Sequence, residues 1–403
     1  MLQYLLSVDL NPHFAEDRGM IDRRTLVKTA TASLLAAPSI LRAQSVKSAI
    51  IVGAGSAGLT AAYHLTQQGV NVRVLEASDQ WGGRVRRDAS LSNVPIDLGA
   101  EWIHDDPTIL GQMIGQGETD LGVDTIEYNP QTFKFWHKGK LRNLNMLKHA
   151  YAEVKFYDTT WYGFFERFVL PTVADRIEYN SVVNGVSVSP NGVTVDLTDG
   201  RRMQADRVLI TVPLSILKKQ RIKFSNAPDS ARLSDLDDVV FGKGFKVFMK
   251  FSERFYPDIL LFGSRLSVLA DEWDSKIYYD AAFGKPTDDN LLGLFTVNET
   301  HLPRASLSNK ALLEDALSEL TDIFGTVVHQ SFQSGTVQNW SQEPHILGSY
   351  SMTNDSDEYL ADILAPISGR IHFAGEALGG DAQSTVHGAA FSAIGAVQAM
   401  VSG

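Results

Sequence analysis

The sequence predicts an α/β protein with a doubly wound parallel sheet, into which a second, α+β region is inserted. Three observations near the start of the folded region support this prediction. A short apolar run leads into Gly53-x-Gly55-x-x-Gly58, a helical pattern follows, and a second apolar run ends at Glu76. The order strand, glycine turn, helix, strand and acid is typical of a dinucleotide-binding βαβ unit, the Rossmann-like arrangement.

Each glycine of this motif has its own physical role. Gly53 permits the tight turn, Gly55 lets the backbone approach a pyrophosphate, and Gly58 lets the helix pack closely on the strand. Ser56 and Ala57 complete the turn, and a helix-like pattern follows from Leu59 to Gln68. Backbone N–H groups at the start of this helix and the positive end of its dipole favour phosphate. We therefore predict that these five residues bind a dinucleotide.

The acid at the end of the second strand strengthens this prediction. Glu76 follows Gly53 by 76 − 53 = 23 residues, the distance at which an acid can accept a hydrogen bond from a ribose hydroxyl. The alternative is a purely structural βαβ turn, because glycine-rich turns are common.

Composition excludes several classes of protein. The chain has 403 residues, enough for two domains and a large core. It has no cysteine, so disulfides, thiolate metal sites and cysteinyl-linked cofactors are excluded, and we expect no metal site. The net charge is −11 and the basic residues are scattered, which argues against nucleic-acid binding. An acidic protein attracts cationic substrates, although ordinary solubility explains this charge equally well.

The first 43 residues carry a targeting pattern that we exclude from the fold. Arg23 and Arg24 precede an apolar stretch over residues 29–41, which is too short to span a bilayer, and Ala43 suits a cleavage position. The pattern is similar to a twin-arginine signal, so we expect export by that machinery to the periplasm or medium without a stable membrane anchor. The alternative is a basic amphipathic N-terminus. We also expect Met20 to be the true start.

A second glycine motif makes a family resemblance specific. Gly82, Gly83 and Arg84 follow closely on Glu76 and Ala77. Together with the first motif, this segment resembles the flavin-containing amine oxidases, in which both glycine motifs hold FAD. The resemblance implies cofactor contacts from Glu76, Ala77, Gly83 and Arg84. Because the chain lacks cysteine, we expect its FAD to be bound non-covalently.

Residues 99–104 read Gly-Ala-Glu-Trp-Ile-His. They are similar to the segment that runs under the flavin in polyamine oxidases of the same family, where the histidine faces the substrate. A histidine taken alone is more often a structural group, and only its motif raises a substrate role for His104. The resemblance implies cofactor contacts from Gly99, Ala100, Glu101 and Trp102.

Lys246 lies on a predicted strand that begins after Phe241. It resembles the family lysine that holds a water molecule against flavin N5, which makes it a predicted catalytic residue. A lysine that faces inward on an apolar strand is costly unless it is paired or hydrated, and this cost favours a functional role. The alternative is an exposed edge strand on which Lys246 and Lys250, which share one face, both reach solvent.

A third motif runs from Trp340 to Ser351 and resembles the family pattern Trp-x-x-[Asp/Glu]-Pro-x-x-x-Gly-Ser-Tyr-Ser. In the family the tryptophan lies near the flavin and the tyrosine flanks the substrate path, so we predict that Trp340 and Tyr350 shape an apolar slot that keeps the amine neutral. Some relatives have a flavin-linking cysteine where this chain has Ser349.

The C-terminal part completes the predicted cofactor site but departs from the family pattern. Many relatives have an aromatic residue near Thr385 and a glutamate at His387. Half of the family's aromatic cage is therefore missing, which argues against a simple monoamine substrate. The resemblance implies further cofactor contacts from Val183, Gly375, Glu376, Thr385 and Val386.

The motifs divide the chain into two domains, with the FAD-binding domain discontinuous. That domain is expected to comprise residues 46–104, 176–220 and 345–403. Residues 105–175 and 221–344 are expected to form the substrate domain. Within it, aromatic residues at helix-like spacing predict a small helical subdomain over residues 105–175 that roofs the site.

The resemblance implies amine oxidation. A hydride passes from the amine α-carbon to flavin N5, the imine hydrolyses, and oxygen is reduced to hydrogen peroxide. The histidine motif and the acidic charge favour a polyamine. The alternatives are an L-amino acid or another amine, or an FAD-binding dehydrogenase, desaturase or scaffold that does not use oxygen. An amino acid would need an arginine clamp, for which Arg254 and Arg265 are available. The oligomeric state stays open.

Overall fold

The structure, a computed structural model, describes residues 46–149, 153–263, 276–297, 302–352 and 357–402. The predicted export signal and Arg265 lie outside these ranges. Within them, no helix combines the length and the apolar character that crossing a bilayer requires.

A five-stranded parallel sheet confirms the predicted doubly wound architecture. Ser48–Val52 lies at its centre, between Asn71–Leu75 on one side and Arg207–Ile210 on the other. The outer strands are Ile177–Glu178 and Ile371–Phe373. The chain leaves the central strand towards one side and later returns to its other side. The strand order therefore reverses at the carboxyl end of the central strand, where open α/β sheets bind their ligands.

The central strand contributes to two cores, because successive side chains of a strand point to opposite faces. Ala49 and Ile51 pack in the core that contains the first helix, Ser56–Gln67, and the last helix, Val386–Ser402. Ile50 and Val52 pack in a second core, together with a four-stranded sheet. In spatial order, the strands of that sheet are Arg202–Ala205, Gly192–Leu197, Val183–Ser189 and Lys223–Ser225.

A seven-stranded sheet forms the body of the inserted region. One of its faces packs against the helix Asn309–Phe324, which begins after a Ser308 side-chain cap and ends at Gly325, a residue with φ of 80°. In the strand Gly244–Phe251, the odd-numbered side chains pack in the core that this helix completes, so Lys246 points to the opposite face. The strands in spatial order are Phe332–Gln338, Gly244–Phe251, Asn290–Val297, Lys276–Asp280, Ile259–Phe262, Phe133–His137 and Lys140–Asn143.

Smaller elements connect these sheets. One is a three-stranded sheet of Trp102–Ile103, Glu153–Phe156 and Thr125–Tyr128. The others are two strand pairs, Arg87–Asp88 with Ile96–Asp97 and Val240–Phe241 with Ser351–Met352. The other α-helices within the described ranges are Ile109–Met113, Trp161–Phe168, Leu170–Val173, Leu214–Lys218, Leu302–Ala305, Val327–Ser331 and Asp357–Ile363.

The prediction of a small helical subdomain over residues 105–175 is only partly correct. Much of this stretch is β-structure, and Glu153–Phe156 pairs with both Trp102–Ile103 and Thr125–Tyr128. The aromatic residues from Trp161 to Phe168 do lie on a helix, whereas Phe133, Phe135 and Phe156 lie on strands, which aromatic residues also suit. After the short helix Ile109–Met113, the next α-helix begins after Thr160, whose side chain accepts a hydrogen bond from the backbone N–H of Gly163. The division into two domains remains a prediction.

Candidate functional site

The first glycine motif forms an open cradle at the carboxyl end of the central strand. A Cβ atom on Gly58 would lie 1.9 Å from the carbonyl oxygen of Gly53, so the helix packs on the strand only because Gly58 has no side chain. A Cβ on Gly55 would meet a single atom, 3.9 Å away, and that face of the turn is open. The helix has no side-chain cap, so its first N–H groups can receive an anion.

The structure brings the second glycine motif and Glu76 to this cradle. Gly83 has φ of 58°, and a Cβ on it would lie 3.3 Å from the Cα atom of Gly55. Buried Glu76 accepts hydrogen bonds from the backbone N–H of Ala54 at 2.7 Å and of Ser78 at 2.9 Å. Residues that are distant in sequence therefore surround one turn.

Arg84 links this cradle to the C-terminal motifs. Its Nη1 donates to the carbonyl oxygen of Ser349 at 2.7 Å and to Oε1 of Glu376 at 3.0 Å. The other carboxylate oxygen of Glu376 accepts a hydrogen bond from Oγ of Ser351 at 2.6 Å. Burial and the charge of Glu376 raise the pKa of neighbouring Tyr350, which keeps its hydroxyl neutral.

A cleft opens beside this ion pair. Its lining includes Arg84, Thr211, Gly375 and Glu376. Thr211 and Gly375 closely follow two strands of the parallel sheet, and no atom lies within 4 Å of a Cβ position on Gly375. The cleft thus lies at the carboxyl edge of the sheet, where the strand order predicts a ligand.

The start of the last helix approaches the same cradle. Oγ of Ser56 donates to the carbonyl oxygen of Val386 at 3.1 Å. Oγ1 of Thr385 accepts from the backbone N–H of Gly388 at 2.9 Å, which caps this helix. Val183 is buried in the same core as Leu75, the residue before Glu76.

Trp340 packs against the segment that begins at Gly99. Its Nε1 donates to the carbonyl oxygen of Leu98 at 3.1 Å, and its ring lies 3.1 Å from a Cβ position on Gly99. The same Cβ position lies 1.7 Å from the carbonyl oxygen of Arg84, so this approach requires a glycine. The guanidinium of Arg86 covers the Trp340 ring at 5.3 Å from its centroid.

Lys246 is buried, and its ion pair gives it a fixed place. Its Nζ lies 2.8 Å from Oε2 of Glu101, and Nζ of Lys155 lies 2.6 Å from Oε1 of the same carboxylate. The hydroxyl of Tyr279 also donates to Glu101. Burial opposes ionisation of Glu101, but the two lysines outweigh it and lower the pKa of this carboxyl to about 2.

A second carboxyl and a third lysine border this group. Burial raises the pKa of Asp97 well above its usual range, while Lys285 acts against that shift. Oδ1 of Asp97 accepts from the backbone N–H of Trp161 at 3.1 Å. Burial and the charge of Lys155 lower the pKa of Lys285 to about 8, and its Nζ donates to the carbonyl oxygen of Phe156 at 3.0 Å.

His104 takes part in a separate polar group near the last helix. Its Nδ1 lies 2.9 Å from Oε2 of Glu153, a carboxylate whose side chain is 8% exposed. Burial, with a contribution from nearby His104, lowers the pKa of His387 to about 4, so this ring is neutral at neutral pH. Nδ1 of His387 is buried and has no hydrogen-bond partner among the described residues.

Arg254 does not provide the arginine clamp that an amino-acid substrate would need. Its guanidinium pairs with Asp258 and, at 2.7 Å, with Asp280. Both carboxylates are buried and hold the arginine within the inserted region.

Sequence reasoning missed Lys155, Tyr279 and Glu153. None of the three belongs to a motif, and each reaches the site through the pairing of strands that are distant in sequence. Only the structure reveals that a Cβ on Gly293 would lie 2.7 Å from the ring of Tyr279, so that this glycine makes room for the tyrosine. The contacts of the predicted residues with a cofactor or substrate remain predictions.

The chain is similar to known proteins in both sequence and fold. The sequence profile of the family described as flavin containing amine oxidoreductase matches residues 56–166 and 170–401. Polyamine oxidase 4 of Oryza sativa subsp. japonica is 25% identical over an alignment of 437 positions, gaps included, that covers 87% of this chain and 88% of the relative. Lysine-specific histone demethylase 2 of Homo sapiens is 25% identical, over 92% of this chain but 56% of the demethylase. A solved structure of putrescine oxidase bound to putrescine matches with a TM-score of 0.71 at 18% identity, covering 89% of this chain and 99% of that one.

Proposed function

The chain belongs to the flavin-containing amine oxidoreductase family, and from that premise we propose that it is an FAD-dependent oxidase of polyamine-type substrates. The observation that carries the proposal is the position of buried Lys246 beside the segment from Gly99 to Trp102, which in turn packs on Arg84 of the second glycine motif. This arrangement supports a site in which the cofactor cradle and the inserted sheet act together.

The residues present fit a non-covalently bound dinucleotide. Gly55 is open on the side of the turn where a pyrophosphate would lie, and the uncapped helix after it supplies N–H donors. Glu76 would hold the ribose, and Arg84 would face phosphate or the ring edge. The absence of cysteine leaves no thioether link.

When bound, FAD would supply the acceptor for a hydride from the amine α-carbon and pass its electrons to oxygen. The protein's part is to orient the amine and to exclude bulk water. Trp340 and Tyr350 would form an apolar slot that favours the neutral amine, because low dielectric disfavours the ammonium form. Nζ of Lys246 would hold a water molecule at the ring.

The polar group around His104 supports a substrate with a second amino group. The buried carboxylate of Glu153, held 2.9 Å from His104, would pair with a distal ammonium ion. Neutral His387 has an unpaired Nδ1 that could accept a hydrogen bond from the substrate. A simple monoamine would supply neither a second cation for Glu153 nor a hydrogen-bond donor for Nδ1 of His387. An L-amino acid would lack an arginine partner, since Arg254 is engaged elsewhere.

Titration of the purified protein with an amine panel tests the proposal. Spermidine, a simple monoamine and an L-amino acid would each be added while flavin absorbance and hydrogen peroxide are recorded. We expect spermidine to bleach the flavin and to yield peroxide at the lowest concentration. A colourless protein would reject FAD binding, whereas bleaching without peroxide would identify a dehydrogenase or desaturase.

We also propose that the protein is exported by the twin-arginine pathway. The paired Arg23 and Arg24 before an apolar stretch support this. Replacing both arginines by lysine should keep the protein in the cytoplasmic fraction of a bacterial host. Equal export of the two forms would contradict the proposal.

A further inference from the structure

One carboxylate joins three side chains from three different strands. Glu101 lies just before the short strand Trp102–Ile103, and Lys155 lies on Glu153–Phe156. Lys246 and Tyr279 lie on the two strands of the seven-stranded sheet that flank Asn290–Val297. Oε1 of Glu101 lies 2.6 Å from Nζ of Lys155, and Oε2 of Glu101 lies 2.8 Å from Nζ of Lys246. The Tyr279 hydroxyl donates a hydrogen bond to Oε2 as well.

All four side chains are almost completely withdrawn from solvent. The exposed fractions are 4% for Glu101, 0% for Lys155, 3% for Lys246 and 1% for Tyr279. Rings surround the cations: Nζ of Lys246 lies 5.1 Å from the Trp102 centroid, and Nζ of Lys155 lies 4.7 Å from the Tyr128 centroid. Bulk water therefore contributes little to holding either lysine in place.

Folding stability alone does not explain why these charged side chains are buried together. Removing two lysines and a glutamate from water is costly, and well-packed apolar side chains are often as stabilising as a buried ion pair. Two cations also share one anion, while the nearby carboxyl of Asp97 makes its hydrogen bond to the backbone of Trp161. What the cluster does supply is a defined position for each Nζ.

We propose that Glu101 is the positioning residue of Lys246: its carboxylate, held at the other oxygen by Lys155 and at the same oxygen by Tyr279, sets the place of the Lys246 Nζ at the flavin. The inference rests on the proposed function of Lys246. It assigns Glu101 a role through its side chain that is separate from the cofactor contact predicted from the motif.

The chain contains a matched control for this cluster. On the opposite face of the same sheet, Glu319 pairs with Lys276 at 2.6 Å and accepts a hydrogen bond from the hydroxyl of Tyr278 at 2.8 Å. Tyr278 and Tyr279 are consecutive, so they point to opposite faces. Glu319 thus makes the same kinds of contact with lysine and tyrosine but none with Lys246.

The test compares Glu101→Gln with Glu319→Gln in the FAD-loaded protein. Crystal structures would report the position of the Lys246 Nζ, and stopped-flow absorbance would report flavin reduction by an amine. For Glu101→Gln we expect a displaced Nζ and a reduction rate lower by about a hundredfold, with KM nearly unchanged. Glu319→Gln should retain the wild-type rate and Nζ position. If Glu101→Gln does not fold, the double variant Glu101→Gln/Lys155→Met, which also removes the second cation, is compared with Glu319→Gln in the same way.

Three results would overturn the inference: an unmoved Nζ in Glu101→Gln, a wild-type reduction rate in that variant, or an equal loss of rate in Glu319→Gln. If the wild type is not bleached by any amine, the proposed function fails. In that case the Nζ position and the midpoint potential of the bound flavin still decide the inference. A displaced Nζ with an altered potential in Glu101→Gln alone would support it, and no change in either would overturn it.

Discussion

Gly53 and Gly58 approach each other so closely that a Cβ atom on Gly58 would lie 1.9 Å from the carbonyl oxygen of Gly53. The obstacle is backbone, which cannot rotate away. We therefore expect Gly58→Ala to push the first helix off the central strand, to lower the free energy of unfolding by about 3 kcal/mol and to weaken FAD retention. Thermal unfolding and the flavin-to-protein absorbance ratio measure the two effects.

The control for this prediction is Gly395→Ala. Gly395 lies in the last helix with no atom near its Cβ position. Alanine is the better helix former, so this variant should gain up to about 1 kcal/mol and keep its flavin. Equal behaviour of the two variants would show that the close approach does not govern the cradle.

Lys246→Met tests the role proposed for the buried lysine. Methionine fills similar volume but cannot hold a water molecule by an N–H group, so we expect flavin reduction and reoxidation to slow by about a hundredfold while FAD stays bound. The control is Lys250→Met, on the same face of the same strand, where Nζ pairs with Asp289 at 2.8 Å at the partly exposed end. Unchanged rates in Lys246→Met, or equal losses in both variants, would reject the role.

The buried imidazole of His387 should make stability depend on pH. Its pKa falls from 6.5 to about 4 on folding, mainly because burial disfavours the charged ring. Between these values the unfolded chain binds a proton that the folded chain does not, so stability is present above pH 6.5 and is lost as the pH falls towards 4. The free energy at stake is about 3 kcal/mol.

Chemical denaturation across this pH range, with wild type and His387→Gln, measures the contribution. The variant should show a shallower loss of stability as the pH falls. His372, whose pKa burial likewise lowers to about 4, should contribute over the same range. Parallel pH profiles for wild type and His387→Gln would contradict the expectation.

The cradle could be predicted from sequence because its rules are local. The turn, the helix and the acid at Glu76 lie within one βαβ unit, and each glycine answers a nearby backbone constraint. The inward direction of Lys246 was favoured only by its resemblance to the family lysine, because strand alternation left an exposed edge strand as an alternative.

The partners of Lys246 could not be predicted in the same way. Glu101 is 145 residues away, and their contact depends on how a short strand meets the inserted sheet. Lys155 belongs to no motif, and the stretch around it was interpreted as helical. Once Glu153–Phe156 pairs as a strand, its alternation places Lys155 among buried rings, so one wrong element concealed two residues of the site.

Glu153 provides the most direct test of substrate class. Its carboxylate is 8% exposed and lies 2.9 Å from the His104 ring, so a distal ammonium ion would meet a desolvated negative charge. Glu153→Gln keeps the shape and removes the charge. We expect it to raise KM for spermidine by about tenfold or more, with little change for a monoamine that has no second nitrogen. Steady-state peroxide assays with both amines measure this difference. An equal effect on the two substrates would mean that Glu153 acts only by orienting His104, and it would contradict the assignment of a polyamine substrate.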